Sequence, residues 1–169
     1  PAVFILYMLK PLWRVRQMRH SEERALWSSL VMSVVLFLYG GVLGLMIEGQ
    51  NVVIPAHYHG SIVGITLAFM GIAYLYFPVF GFREVAGWRL AYWQPIVYGA
   101  GQILHISGLA WSGGYGVLRK TPGVELEASA KLAMGLMGGG GLIAIIGGLM
   151  FVIVAARAIF GKKTSAPVH

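Results

Sequence analysis

The sequence predicts an all-α integral membrane protein that folds as a bundle of four transmembrane helices. Of the 169 residues, 57% are hydrophobic and only 11% are charged, and the mean hydropathy is +0.73. A water-soluble domain of this size cannot bury so much apolar surface, and the same composition excludes an intrinsically disordered chain. Since about 20 mostly apolar residues cross a bilayer as a helix, we expect four spans, at residues 25–47, 53–80, 87–111 and 128–160.

Two shorter segments flank the four predicted spans. Residues 1–24 are basic, and we expect them to be cytoplasmic or to lie at the membrane interface, with the end of a truncated helix as the alternative. The first nine residues are apolar but too short to span, and they lack the leading charge of a signal peptide. Residues 161–169 are expected to form a cytoplasmic tail. The membrane-embedded region is therefore residues 25–160.

The basic residues predict how the bundle is oriented. Five precede the first span, two lie between the second and third, and three follow the fourth, so ten of the 13 lysines and arginines share one side. The positive-inside rule makes this side cytoplasmic. We therefore expect a multi-pass protein of the cell (inner) membrane with both termini inside, and the net charge of +7 indicates topology rather than nucleic acid binding. These residues are Lys10, Arg14, Arg16, Arg19, Arg24, Arg83, Arg89, Arg157, Lys162 and Lys163.

The amino acids missing from the chain restrict its chemistry. There is no cysteine, which excludes disulfides, thiolate metal sites, iron–sulfur clusters and cysteine nucleophiles. There is no aspartate either, and all six acidic residues are glutamates. Any metal or cofactor must therefore be bound by histidine, glutamate, methionine sulfur or the backbone.

Three histidines fall within the predicted spans, where ionisable side chains are costly and are functional candidates. Pro55 suits the first turn of a helix, which places His57 and His59 in the first two turns of the second span. A spacing of two residues corresponds to about 200° around a helix, so these imidazoles point to nearly opposite faces and suit two separate sites. His105 lies at a similar depth in the third span. Haem is the natural partner, because its iron takes imidazole ligands and its ring sits well among apolar side chains.

Two further features have more than one interpretation. The pair Arg119–Lys120 lies on the side expected to be poor in positive charge, either as a solvated loop or to neutralise an anion such as a haem propionate. The block Gly138–Gly141 lies inside the fourth span. We interpret it as a surface for close helix packing, with clearance for a cofactor as the alternative.

The histidine segments resemble those of a known family. The segment AHYHG at residues 56–60, followed by SIVGITLAFMG and later YFP, resembles the tenth helix of subunit I of the haem–copper oxidases, which carries a His-x-His pair near the outer face. The segment QILHISGLA at residues 102–110, followed by GVLRKTP, is similar to the next helix. The resemblance covers about residues 25–160 as the ninth to twelfth helices. It implies that this chain is the C-terminal part of a larger bundle, present here as a split or fragmentary chain.

The resemblance also implies roles for individual residues. His57 would be the proximal ligand of the high-spin haem at which the gas is reduced, and His59 an axial ligand of the low-spin haem. Tyr58 would be an electron-transfer neighbour of the two haems, and no residue of this chain would be directly catalytic. Arg119 and Lys120 would hold haem propionates, although the family usually has two arginines there. His105 matches a position that is not a haem ligand.

The implied function is that of part of the catalytic subunit of a respiratory terminal oxidase that reduces dioxygen to water. The helices that carry the copper ligands and the other axial ligand of the low-spin haem are missing from this sequence. Copper is therefore expected on a partner chain that carries the remaining subunit I helices. Other oxidase subunits, and cytochrome c or quinol as the electron donor, complete the expected assembly, and this chain alone would be inactive.

Three alternatives remain open from the sequence. The first is a nitric oxide reductase of the same superfamily, which shares the His-x-His helix. The second is a b-type cytochrome, in which His59 and His105 would clamp one haem without a partner chain. The third is a haem-free assembly or transport subunit.

Overall fold

The computed structural model describes residues 23–48, 53–85, 87–114 and 128–161, and these form four α-helices. No strand occurs within these ranges, so the prediction of an all-helical, four-helix arrangement is confirmed. The basic segment at residues 1–22, the pair Arg119–Lys120 and the tail from residue 162 lie outside the described residues. The helices are α1 (Arg24–Leu45), α2 (Val53–Tyr76), α3 (Arg89–Gly114) and α4 (Ala128–Phe160).

Three of the four helices are long and apolar enough to cross a membrane. These are α1, α2 and the Lys131–Phe160 part of α4, with mean hydropathies of 2.0, 1.4 and 2.5. Helix α3 has 26 residues, which is sufficient length, but Gln94, Gln102 and His105 make it more polar than its neighbours. Length and composition therefore support three of the four predicted spans, and the crossing of α3 stays a prediction.

Small residues bring α1 and α2 into close contact. A Cβ atom added at Gly40 of α1 would lie 2.5 Å from the backbone nitrogen of Ser61 on α2. Further along the same contact, Gly64 lies against the backbone of α1, and Gly71 lies against Ser29. Since apolar side chains gain little by leaving lipid, membrane helices associate through backbones that approach closely at small residues. This contact fixes the position of the first turns of α2.

Helices α3 and α4 pack through a second set of small residues. A Cβ atom at Gly101 would lie 2.8 Å from the carbonyl oxygen of Gly140, and one at Gly140 would overlap the backbone nitrogen of His105. Gly138 and Gly139, by contrast, have no other atoms within 4 Å of such a position. The packing interpretation of the glycine block is therefore supported at Gly140.

A fully buried glutamine joins three helices away from the histidines. The Tyr74 hydroxyl on α2 donates to Oε1 of Gln94 on α3 at 2.9 Å, and Nε2 of Gln94 donates to the carbonyl oxygen of Gly147 on α4 at 3.2 Å. Hydrogen bonds of this kind connect membrane helices when a polar side chain turns inward. The polarity of α3 thus serves contacts inside the bundle. Around this group, one apolar cluster draws residues from all four helices: Ala25, Tyr74, Phe77, Val85, Ala91, Val154 and Ala158.

The neighbouring glycines 139 and 140 give a matched test of the α3–α4 contact. We expect Gly140→Ala to lower the free energy of unfolding by about 1–3 kcal/mol, because the added methyl group overpacks the contact. Gly139→Ala should be neutral or stabilise by up to about 1 kcal/mol, because alanine has the higher helix propensity. Thermal unfolding of both variants in the same detergent measures the difference. Equal midpoints for the two variants would contradict the packing assigned to Gly140.

Candidate functional site

Three partly buried histidines gather near one end of the bundle. His57 and His59 lie in the first two turns of α2, and His105 lies in the second half of α3. Pro55 is the third residue of α2, within its first turn as predicted, so the helix begins just before the histidine pair. The structure therefore places all three histidines of the predicted spans at the same end of the bundle, with His59 against His105 and His57 against α1.

His57 faces α1. Its Nδ1–H donates a hydrogen bond of 2.7 Å to the carbonyl oxygen of Gly40. The ring also lies directly against Gly44, where an added Cβ atom would come within 2.7 Å of Nδ1. The imidazole is thus held between the first turns of α2 and the last part of α1.

His59 faces α3 and contacts His105. The centroids of the two imidazoles are 5.4 Å apart, with an angle of 48° between the ring planes. Nδ1–H of His59 donates to the Pro55 carbonyl oxygen of its own helix at 2.8 Å. The ring of Tyr58 stacks on His59 with a centroid separation of 5.2 Å. His57 and His59 therefore pack against different helices, which confirms the prediction that they point to different faces of α2.

His105 is held on α4 in the way that His57 is held on α1. Nδ1–H of His105 donates to the carbonyl oxygen of Met137 at 2.9 Å. The ring also lies beside Gly141, where a Cβ atom would be 3.3 Å from Nδ1. In both cases the accepting carbonyl belongs to residue i of the neighbouring helix, and residue i+4 of that helix is glycine.

The spacing of four residues has a direct physical cause. Each Cα–Cβ bond in an α-helix tilts toward the N-terminus, so a side chain covers the turn before its own Cα atom. Glycine at position i+4 leaves the carbonyl of residue i uncovered on its outer side. That oxygen already accepts the intrahelical hydrogen bond, and its second lone pair can then accept an imidazole N–H from another helix. Gly44 and Gly141 thus allow a ring to approach the carbonyl groups of Gly40 and Met137.

All three imidazoles share one consequence of these hydrogen bonds. A carbonyl oxygen only accepts, so Nδ1 carries the proton in each ring. In the neutral ring Nε2 then has a free lone pair, which can bind a metal or accept a hydrogen bond. Histidines that bind metals use the other ring nitrogen in this way, as a donor to a carbonyl or carboxylate. Within the described ranges, no three His, Cys, Asp or Glu side chains converge on a common point, so these histidines do not form a three-ligand site.

Sequence reasoning found the histidines but missed their acceptors. Backbone carbonyls carry no residue-specific signal, so Gly40 and Met137 could not be identified as partners. The sequence feature that could have indicated one acceptor was the pair Gly40 and Gly44, four residues apart in the first predicted span. Arg119 and Lys120, the predicted propionate ligands, lie outside the described residues.

The relatives found by comparison with known proteins are longer than this chain and are uncharacterised. No protein-family model matches the chain. An uncharacterised protein of Rickettsia prowazekii (strain Madrid E) is 44% identical over 154 residues, which are 85% of this chain and 30% of that protein. An uncharacterised protein of Aquifex aeolicus (strain VF5) is 38% identical over 60 residues, which are 36% of this chain and 16% of that protein. The chain thus spans less than a third of the length of these curated relatives.

The contact between His57 and Gly44 predicts a specific effect of Gly44→Ala. The added methyl group should displace the ring from the Gly40 carbonyl, so that His57 no longer keeps its proton on Nδ1 alone. Nitrogen-15 spectra of the histidine-labelled protein distinguish the two tautomers. Gly41→Ala is the matched control, because no atom lies within 4 Å of a Cβ at that position. Identical His57 resonances in wild type and Gly44→Ala would contradict the assigned contact.

Proposed function

We propose that this chain is part of the catalytic subunit of a respiratory haem–copper terminal oxidase and supplies one axial histidine to each of two haems. The observation that carries the proposal is the state of the histidine pair on α2. His57 and His59 pack against different helices, and each uses Nδ1–H on a backbone carbonyl so that Nε2 is left as a ligand atom. This arrangement suits two separate iron centres on either side of one helix.

The number of ligands at each position fits haem. A porphyrin supplies four nitrogens to its iron, so the protein needs to add only one or two axial ligands. A bare zinc ion, by comparison, needs three or four protein ligands in one place. His57 stands apart from the other two histidines, and the described residues contain no cluster of three ligating side chains. Single imidazoles in an apolar bundle therefore match the demands of haem.

The protein groups around each imidazole would prepare it for this role. The Gly40 carbonyl fixes the orientation and tautomer of His57 by accepting Nδ1–H, and the Pro55 carbonyl does the same for His59. When bound, haem supplies electron transfer at one centre and gas binding at the other. Tyr58, stacked on His59, would be the neighbour of the electron-transfer path. In this proposal Arg119 and Lys120 hold haem propionates, and His105 supports His59 from α3.

The contact between His59 and His105 makes the b-type cytochrome the second candidate. Two imidazoles that bind one iron from opposite faces have ring centroids about 6 Å apart, given metal–nitrogen bonds of about 2 Å. The observed separation is 5.4 Å and the rings are tilted by 48°. The observed separation is close to that value, so the two proposals are distinguished at His105, whose substitution should remove the haem of a b-type cytochrome.

The length of the relatives is consistent with an incomplete bundle. Because the chain spans 30% of the Rickettsia prowazekii protein, we propose that the remaining helices, with the copper ligands and the second axial ligand of the low-spin haem, lie outside this chain. The proposal includes four crossings of the cell (inner) membrane, cytoplasmic termini, and cytochrome c or quinol as electron donor. Dioxygen is the proposed substrate, and nitric oxide is the alternative that an assay of the complex would reveal.

Substitution of each histidine in the assembled complex tests the proposal. We expect His57→Ala to remove the high-spin haem signal while it leaves most of the low-spin signal, and His59→Ala to do the reverse. In both variants the haem content should fall from two to about one per complex, measured by pyridine haemochrome analysis and by optical and electron paramagnetic resonance spectra.

His105→Ala is the matched control, since it removes a partly buried imidazole with the same type of carbonyl contact. It should retain both haems. Loss of one and the same haem in the His57 and His59 variants would refute the two-site proposal, as would a purified complex that contains no haem.

A further inference from the structure

At the end of the bundle opposite the histidines, we propose a binding site for the phosphate group of an anionic phospholipid. The site is formed by Arg83, in the segment after α2, and Arg157, in the last turn of α4. It is independent of the haem proposal, since it shares no residue with the histidine site. We call it the Arg83–Arg157 groove, which is about 480 Å³ in volume and is lined by Arg83, Ala156, Arg157, Phe160 and Gly161.

Arg83 is held in place by three contacts. Its backbone N–H donates to the carbonyl oxygen of Ala158 on α4 at 3.2 Å. Its guanidinium carbon lies 5.4 Å from the ring centroid of Trp88, a cation–π distance. Its side chain also passes close to Gly161, where an added Cβ atom would be 2.8 Å from a guanidinium nitrogen. These contacts place the guanidinium beside the end of α4.

The charge in the groove is not balanced by the described part of the chain. Neither Arg83 nor Arg157 lies within ion-pair distance of a carboxylate there. Arg157 is exposed, and Lys162 and Lys163 follow shortly after it in the sequence. Two guanidinium groups that line one groove, with no carboxylate paired to them among the described residues, favour an anion, and guanidinium binds phosphate oxygens in a bidentate manner.

The surface next to the groove indicates that this anion carries acyl chains. The face of α4 that carries Ala156 and Phe160 of the groove also carries Ile153 and Leu149. These four residues are spaced three or four apart, as expected for one face of a helix. These larger side chains are exposed, Phe160 by 84%, Leu149 by 57% and Ile153 by 45%. A phospholipid matches this combination, because its phosphate would pair with the arginines while an acyl chain lies along the apolar face. Basic pockets at the ends of membrane helices bind anionic lipid head groups by this chemistry.

Lipid binding to the delipidated protein in detergent tests the proposal. Phosphatidylglycerol and phosphatidylcholine with identical acyl chains are titrated separately, and bound lipid is counted by native mass spectrometry. We expect wild-type protein to bind phosphatidylglycerol at least about tenfold more tightly. Arg157→Gln and the double variant Arg83→Gln/Arg157→Gln should lose this preference, whereas Arg89→Gln, at the same end of the bundle but outside the groove, should keep it.

Two further arms identify the source of the phosphate. Inorganic phosphate and glycerophosphoglycerol, which has the head group but no acyl chains, should bind at least tenfold more weakly than phosphatidylglycerol. Equal affinity for these soluble anions would overturn the lipid proposal in favour of a free phosphate site. Equal affinity for the two phospholipids in wild type, or an unchanged preference in Arg157→Gln, would also overturn it. Arg157 is exposed, so this single variant is expected to fold and keeps the test decisive if the double variant does not.

Discussion

The hydrogen bond from an imidazole N–H to a helical carbonyl is the interaction on which the candidate site depends. In an apolar bundle a ring N–H without a partner is costly, yet most helical carbonyls are covered by the side chain four residues later. Gly44 and Gly141 remove that cover, and His57 and His105 use the exposed oxygen atoms at 2.7 and 2.9 Å. This single hydrogen bond gives the Nδ1–H group an acceptor, fixes the ring and leaves Nε2 free to bind a ligand.

The same requirement explains why the helices approach so closely. A neighbouring helix must come near enough for its carbonyl groups to reach the rings, and small residues permit this on α1 and α4. Gly40 has two roles, because its Cα atom packs against α2 while its carbonyl accepts the proton of His57. Packing and the orientation of the imidazoles are therefore coupled, and a methyl group added at these glycines disturbs both.

The polar side chains of the bundle lie in three places: the histidine end, a buried pair in the interior, and the Arg83–Arg157 groove at the opposite end. Gln94 and Tyr74 pair inside the bundle, where hydrogen bonds replace contact with water. Arg83 and Arg157 lie at the opposite end from the histidines, along a surface that leads to exposed apolar residues of α4. Helix α3 has the most polar composition of the four because it contributes Gln94 to the buried hydrogen-bonded pair and His105 to the histidine site. For that reason its sequence alone is the weakest indication of a span.

The sequence by itself determined the helical class, the approximate bounds of the four helices and the placement of His57 and His59 on different faces of α2. Hydropathy and helical periodicity are local properties, so they can be read along the chain. Only the tertiary structure decided that His105 contacts His59, that Gly40 and Met137 are the acceptors, and that Gly140 packs while Gly139 faces open space. These facts depend on how far each helix is rotated and shifted against its neighbours, and backbone carbonyls are the same at every residue. For that reason no residue pattern could have revealed which of them accept the imidazole protons.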